Sequence, residues 1–381
     1  MRHMEDNPFE YSKPLPAGQM VDRGIELGTL GDQLVNTHNS RLVGPRRYGK
    51  TTLINAALTQ ARDDGLVAIK VNFLGVLTLD DIADRIERAY SEQLDSRLKQ
   101  WFTGVVRTLQ PTLTGGGGPV PASIAISPQP ASSGLLDRLA LPPKVHAKHG
   151  RRCAIAFDEF QDVLRAATNA DAVIRSEIET HAGVAGYVFS GSHIGMMREL
   201  FADRRRAFFG QATPIDLALL APDELGEYIA DRFFHDDRDP GEALALLLDL
   251  AQGHPQRALM LANKLFSATG RGGAADGGTW SEALAAACYE AEPEITQVWN
   301  DLTATAQRVL AVIADGTIAL NSHAARERYG LPRTGSNQQA VRHLADDAHI
   351  VKADTRTGWA VVDPLLALWL RSGRRWPDIA A

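Results

Sequence analysis

The chain of 381 residues carries 40 Lys and Arg against 46 Asp and Glu, a net charge of −6, with 44% hydrophobic and 23% charged residues. That length suits about two to three domains, and the balance is that of a folded globular chain; it excludes disordered, collagen-like and disulfide-scaffold classes and gives the chain as a whole no basic footprint for nucleic acid. Cys153 and Cys288 are too far apart to suggest a metal spacing, no run of 18 apolar residues occurs, and the polar start MRHMEDNPFEYSKP has no apolar leader, so a cytoplasmic protein without membrane insertion is expected.

Along the first 220 residues, short apolar runs alternate with longer helical patterns: SRLVG (40–44), LVAIKVNF (66–73), CAIAF (153–157), GYVFSG (186–191) and TPIDLALL (213–220). Such runs predict buried parallel strands joined by helical crossovers, an α/β domain over 1–220. Within it, the stretch 111–134 holds five Pro and five Gly with no charge or aromatic, which marks a flexible insertion, with Ser123–Ser127 as a short candidate strand. From Pro222 to Ala268 the spacing is helical (LGEYIADRFF, EALALLLDLA, QRALMLANKLF) and predicts a small helical lid over 221–292, with GRGGAADGG (270–278) as a flexible loop. Pro293 gives a provisional start for a last domain, 293–381. There, helical patterns near Ile295–Asp315, Ser322–Tyr329 and Asn337–Ala348 precede two strand-like runs in IVKADTRTGWAVVD, the order of a winged helix.

The sharpest chemical signal is Gly44-Pro45-Arg46-Arg47-Tyr48-Gly49-Lys50-Thr51, which fits GxxxxGK[ST], follows a strand-like run and opens the helical pattern TTLINAALTQA. Glycines there let backbone N–H groups approach phosphates, the helix N-terminus adds its dipole, Lys50 reaches β and γ oxygens, and Thr51 ligates Mg²⁺. Residues 44–51 with Thr52 are therefore the phosphate-binding candidates. A metal-bound phosphate needs a second anionic group at the end of a neighbouring strand, and CAIAF ends in Asp158-Glu159. Asp158 is placed to hold Mg²⁺ through its water shell, and Glu159 to polarise the attacking water as general base. Ser190, Ser192 and His193 follow the next strand and are candidates to orient that water; the alternative is an ST-turn closing the strand. Arg204-Arg205-Arg206, read as part of a helical stretch before the last core strand, centres on Arg205 as a candidate arginine finger for a neighbouring subunit, or else forms a solvated basic face.

These residues resemble the AAA+/STAND branch of P-loop ATPases, in particular the archaeal-type ATPases related to the origin-recognition and Cdc6-like initiators, over about Asn7 to Arg371. Asn7-Pro8-Phe9 and Val21-Asp22-Arg23-x-x-Glu26-Leu27 look like the family's adenine-side segment, Leu42–Thr52 and AIAFDEFQ (154–161) like its Walker A and Walker B motifs, Gly253-His254-Pro255 like the lid motif whose proline lies against adenine, and Asp363-Pro364-Leu365-Leu366 with Trp369-Leu370 like the end of its winged helix. The resemblance implies an ASCE-type parallel sheet, a helical lid and a winged helix. It also implies ATP or ADP with Mg²⁺ held between core and lid, with Asn7, Pro8, Phe9, Arg23 and Pro255 at the nucleotide, and a site completed by nucleotide-dependent self-assembly. The chain departs from the family at Ser190-Gly191-Ser192-His193, where Asn or Thr is usual. It departs again at Gln256, which stands where a lid arginine is usual while Arg257 faces about 100° away, and at Gln211, where YGR relatives have arginine.

For the last domain, Ser336-Asn337-Gln338-Gln339-x-x-Arg342-His343 has residue types suited to a recognition helix. Residues 293–381 nevertheless hold ten Arg and Lys against nine Asp and Glu, so a protein partner is favoured over DNA. The leading expectation is a slow ATPase acting as a molecular switch. Against it stand a DNA-binding winged-helix protein with structural nucleotide, and a nucleotide-held scaffold of very slow turnover.

Overall fold

The computed structural model describes residues 7–109, 131–332 and 335–376. In chain order, α1 (Gly24–Val35) leads to β1 (Asn39–Val43), α2 (Lys50–Asp63) and β2 (Val67–Asn72); α3 (Leu79–Gln93), α4 (Ser96–Leu109), α5 (Ala131–Leu139) and α6 (Leu141–His149) then lead to β3 (Cys153–Asp158). After α7 (Val163–Ala166) and α8 (Ala170–Ile178) come β4 (Ala185–Gly191), α9 (Ile194–Ala202) and β5 (Thr213–Asp216). The five strands form one parallel sheet in the order β2-β3-β4-β1-β5, so β4 lies between the strand before the Gly-rich loop and the strand ending in Asp158. β3 and β4 are buried along their whole length, the pattern of central parallel strands covered on both faces. Alternation splits their side chains: Cys153, Ile155, Phe157, Tyr187 and Phe189 pack under α3–α9, while Ala154, Ala156 and Val188 pack under α1 and α2. The small residues on the second face let α2 sit close to the sheet and set its N-terminus at the strands' carboxyl ends.

The remaining chain builds α10 (Pro222–His235), α11 (Ala243–Ala251), α12 (Pro255–Ala268), α13 (Gly277–Asp301), α14 (Ala304–Asp315), α15 (His323–Tyr329), α16 (Gly335–Asp346), the antiparallel pair β6 (Ile350–Lys352) and β7 (Trp359–Val361), and α17 (Pro364–Arg371). One apolar cluster runs from Leu225 and Ile229 through Leu261 and Leu265 to Leu310, Leu344 and Trp369, so lid helices and winged helix share a single core. Phe9, from the N-terminal segment, is fully buried in it against Phe233 and Phe266.

Several sequence readings change here. Pro293 lies inside α13, which runs unbroken across 292/293. An internal proline costs about 3 kcal/mol, and the buried stripe Ala283, Ala287, Ala291 and Ile295 along the same helix offsets it. The pattern near Ile295–Asp315 is two helices, broken at Leu302 and restarted by Thr303, whose side chain caps Ala306 N. Residues 270–278 are tied down rather than loose: Gly272 N bonds Asp237 O, and Asp239 pairs with Gly273 and Ala275. Arg204–Arg206 lie in turns after α9, not in a helix. Within the stretch 111–134, residues up to 130, including Ser123–Ser127, fall outside the described residues, and 131–134 open α5.

Candidate functional site

Parallel register aligns three chain reversals at one edge of the sheet. Val43 pairs with Gly191 and Asn72 with Asp158, so the Gly-rich loop, Glu159 and Ser192 emerge side by side at the carboxyl ends of the strands, where open α/β sheets bind ligands. Gly49, at φ 85°, ends the loop in the left-handed conformation, and no side chain caps the first turn of α2. Its N–H groups face a cavity of about 450 Å³ lined by Arg46–Thr52, Glu159, Ser192 and, from the lid, Pro255 and Gln256.

Lys50 is buried (6% exposed) and donates to the Gly44 and Pro45 carbonyls at 2.7 Å each. Burial pushes its pKa down to about 8, against the opposing pull of Glu159 and Asp158. Those two carbonyls are the visible contribution of Gly44 and Pro45, which do not line the cavity. Asp158 accepts from Ser190 Oγ and from Glu159 N (3.2 Å), and its Oδ2 lies 3.2 Å from Lys70 Nζ. Glu159 adopts φ 51°, ψ 42°, a conformation non-glycine residues rarely hold, and its Oε2 accepts from Ser192 Oγ (2.8 Å) and Gln161 Nε2 (2.7 Å). Gly191 makes that clamp possible: a Cβ there would meet Gln161 Oε1 at 2.4 Å and Met197 at 2.5 Å.

The N-terminal segment divides its duties. Asn7 and Phe9 strap onto α12, with Asn7 Nδ2 donating to Asn263 O and Asn263 Nδ2 donating to Phe9 O, so residues 7–9 lie outside the cavity lining and Glu10–Leu15 supply it. Arg23 lines the cavity while its Nη2 holds Ala218 O at 2.6 Å. Thr51 and Thr52 line it too, and Thr52 Oγ1 accepts from Leu15 N.

The chain matches a family model described as a probable winged helix domain over residues 294–372. No curated protein matches it. Among solved structures, a Walker-type ATPase of Pyrococcus abyssi is similar with a TM-score of 0.71 at 16% identity, covering 95% of this chain and 99% of its own. The ORC2 protein of Aeropyrum pernix, in ADPNP–ADP complexes, gives 0.61 at 18% identity over 97% and 96%. The fold is that of a P-loop ATPase ending in a winged helix. The α/β architecture, parallel sheet and C-terminal domain expected from the sequence are those observed.

Within this ATPase fold, two motifs far apart in sequence meet as one ion-pair network. Position 253 requires glycine, both for its left-handed φ of 73° and because a Cβ would sit 2.4 Å from Leu220 O; His254 then caps α12 through Arg257 N, and its ring lies edge-on to Tyr48. Arg257, 1% exposed, turns away from the cavity and grips Asp363, with Nε at 3.1 and 3.0 Å from the two carboxylate oxygens. Its Nη2 also reaches Glu294 (3.1 Å), which Arg47 of the Gly-rich loop contacts at 2.6 Å. Burial pushes Asp363 up, but the charge and hydrogen bonds of Arg257 outweigh it and hold the carboxyl below the usual range. His193, instead of facing the cavity, caps α9 and reaches Asp347 of the winged helix at 3.1 Å, beside Arg198–Asp346. Arg205 is outside the cavity; its side chain is 90% exposed and paired with Asp203, while Arg206 pairs with Glu199.

Sequence reasoning missed Lys70 and Glu294, and it quoted Gln161 and Asp363 within motifs without giving either its role. Those two had a local signal, Gln161 two residues beyond Glu159 and Asp363 ahead of Pro364; Lys70 and Glu294 depend on which elements become neighbours.

Proposed function

We infer that the protein binds and hydrolyses ATP as a switch of the AAA+/STAND class. The observation that carries this is the convergence of Lys50, Thr51 and a clamped Glu159 on one cavity between sheet edge and lid, with Asp158 buried directly behind Glu159. The nucleotide complexes of the Aeropyrum protein of like fold support a nucleotide in that place. In this reading the N–H groups at the start of α2 and Lys50 bind the phosphates, Arg46 and Arg47 flank them, Pro255 and Glu10–Leu15 bracket the base, and Arg23 holds the segment after β5 beside it through Ala218 O. Ser192 and Gln161 hold the Glu159 carboxylate so that Oε1 can accept a proton from water attacking the terminal phosphorus, giving ADP and phosphate.

The donor set suits magnesium: a hydroxyl and a carboxylate, Thr51 and Asp158, with phosphate oxygens and water completing six oxygens. Among the described residues no group of three or more His, Cys, Asp or Glu stands ready to hold a metal alone, so the ion would arrive with nucleotide. Its contribution there is to neutralise phosphate charge. The core, 1–220, acts as the fixed part, while the lid (221–292) and winged helix (293–381), which share a core, respond together; the exposed Arg205 is available to a second copy in a nucleotide-dependent homo-oligomer.

Phosphate release from purified protein with Mg-ATP tests the reading. Lys50→Ala is expected to lose nucleotide binding, and Glu159→Gln to bind but not turn over; full hydrolysis by the first removes the assignment, and by the second removes Glu159 from the base role. A DNA-associated role has one observation in its favour, the groove of about 510 Å³ lined by Gln338, Arg342, Arg356 and Trp359 between α16 and the hairpin. The near-neutral charge of residues 293–381 weighs toward a protein partner.

A further inference from the structure

Lys70 belongs to no motif, yet it occupies a defined place beneath the site. Parity on the strands puts Lys70 of β2, Asp158 of β3 and Ser190 of β4 on the same face of the sheet, the one covered by α2. Its Nζ lies 3.2 Å from Asp158 Oδ2 and 3.4 Å from Asn55 Oδ1 of α2. The backbone at this position is fixed from the open edge of the sheet, because the Gln93 amide both donates to Lys70 O (2.7 Å) and accepts from Lys70 N (2.8 Å). Gln93 thus closes the β2 edge and pins the residue that carries the ammonium. Asp158 is 5% exposed, and a carboxylate that buried needs a partner charge. Lys50 does not provide it, since its ammonium is turned to the Gly44 and Pro45 carbonyls.

We propose that Lys70 is a positioning residue for Asp158 and the resident counter-charge of the phosphate site, so that nucleotide binds without a divalent cation. This rests on the reading of the cavity as an ATP site. With Lys70 present, Asp158 has an ammonium in direct contact, while Lys50, Arg46 and Arg47 line the cavity itself. Without it, Asp158 loses the ammonium it contacts and the site is one positive charge poorer, which weakens the hold on metal-free phosphates and strengthens attraction for a divalent cation. Both effects act in the same direction on the ratio of metal-free to metal-saturated nucleotide dissociation constants.

The test is fluorescence anisotropy of a labelled ADP with the full chain, measured in EDTA and in saturating Mg²⁺. In Lys70→Met the ratio is expected to rise about tenfold, the scale of one unit charge acting through a polar site, with affinity in Mg²⁺ near that of wild type. Lys70→Gln, which keeps a donor to Asp158 but no charge, should behave likewise and serves if the Met variant does not fold; Lys70→Arg should restore the wild-type ratio. A merely structural role would weaken both conditions equally, and an unchanged ratio in the neutral variants overturns the proposal. Absence of binding to wild type in both conditions overturns the ATP-site reading and this proposal together.

Discussion

Replacing Asp363 by Asn separates the charge of the Arg257–Asp363 pair from everything else the aspartate does. Asp363 also caps α17 through Leu365 N and Leu366 N, and asparagine caps equally well. What the substitution leaves behind is a guanidinium on a side chain only 2% exposed, facing a neutral amide, with Glu294, 41% exposed, as its remaining anion. Removing one partner from a buried pair costs about 3–5 kcal/mol, and the surviving Glu294 contact puts the expectation at the lower end, about 3 kcal/mol. Arg257→Met removes the buried charge itself. Asp363, about a quarter exposed, then finds water and keeps its cap, so that variant is expected to cost only about 1 kcal/mol. Urea unfolding followed by tryptophan fluorescence reads mainly the affected part, because five of the six tryptophans, Trp280, Trp299, Trp359, Trp369 and Trp376, lie in the lid and winged-helix portion, with Trp101 in α4 the exception. Asp363 is held below the usual carboxylate range, so the pair's stabilisation is present above that range and is lost only as pH falls through the depressed value. The two variants should therefore differ at neutral pH. Equal costs, or a smaller cost for Asp363→Asn than for Arg257→Met, would refute the claim that a buried, pair-dependent charge joins lid to winged helix.

Lys50, with its pKa pushed down to about 8, should make nucleotide affinity fall by about tenfold per unit as pH rises above that value, since phosphate binding needs the ammonium. The fold itself should gain slightly over the same interval, because the penalty for burying the charge disappears; a flat affinity from pH 7.5 to 9.5 would count against Lys50 as the phosphate ligand. Ser192→Ala leaves Glu159 held by Gln161 alone and is expected to lower turnover by about one to two orders of magnitude with nucleotide affinity unchanged, a loss within the range supplied by a positioned general base. Equal loss of both in titrations beside turnover assays would mean that Ser192 supports the loop rather than the base.

What could be read from the sequence was whatever depends on neighbours along the chain. The five strands, the Gly-rich loop and Asp158-Glu159 each carry their signal within about ten residues, because buried parallel strands and phosphate-binding turns impose local patterns. Lys70 and Asp158 are 88 positions apart, and nothing local says that β2 lies beside β3. Arg257 and Asp363 stood in two motifs that looked separate until α12 and α17 were seen in contact. Pro293 marks no break in the chain for a related reason: proline reports local backbone cost, while the buried alanine stripe of α13 is a tertiary gain that outweighs it. The helical reading of Arg204–Arg206 overlooked how Asp203, accepting from Arg205 N, can end α9 in a turn.

Phe9 has a consequence for how the molecule is made. Its socket is formed by Tyr228, Phe233 and Phe266, which are synthesised more than two hundred residues after it. The sheet, complete at Asp216, can fold during synthesis by the usual vectorial order. The first segment has to stay unattached until α12 exists. Newly made chains therefore pass through a period in which an aromatic side chain and its hydrophobic socket are both open to other molecules, and an extension fused before Asn7 would bear on the assembly of the distal half of the protein rather than on the half it is attached to.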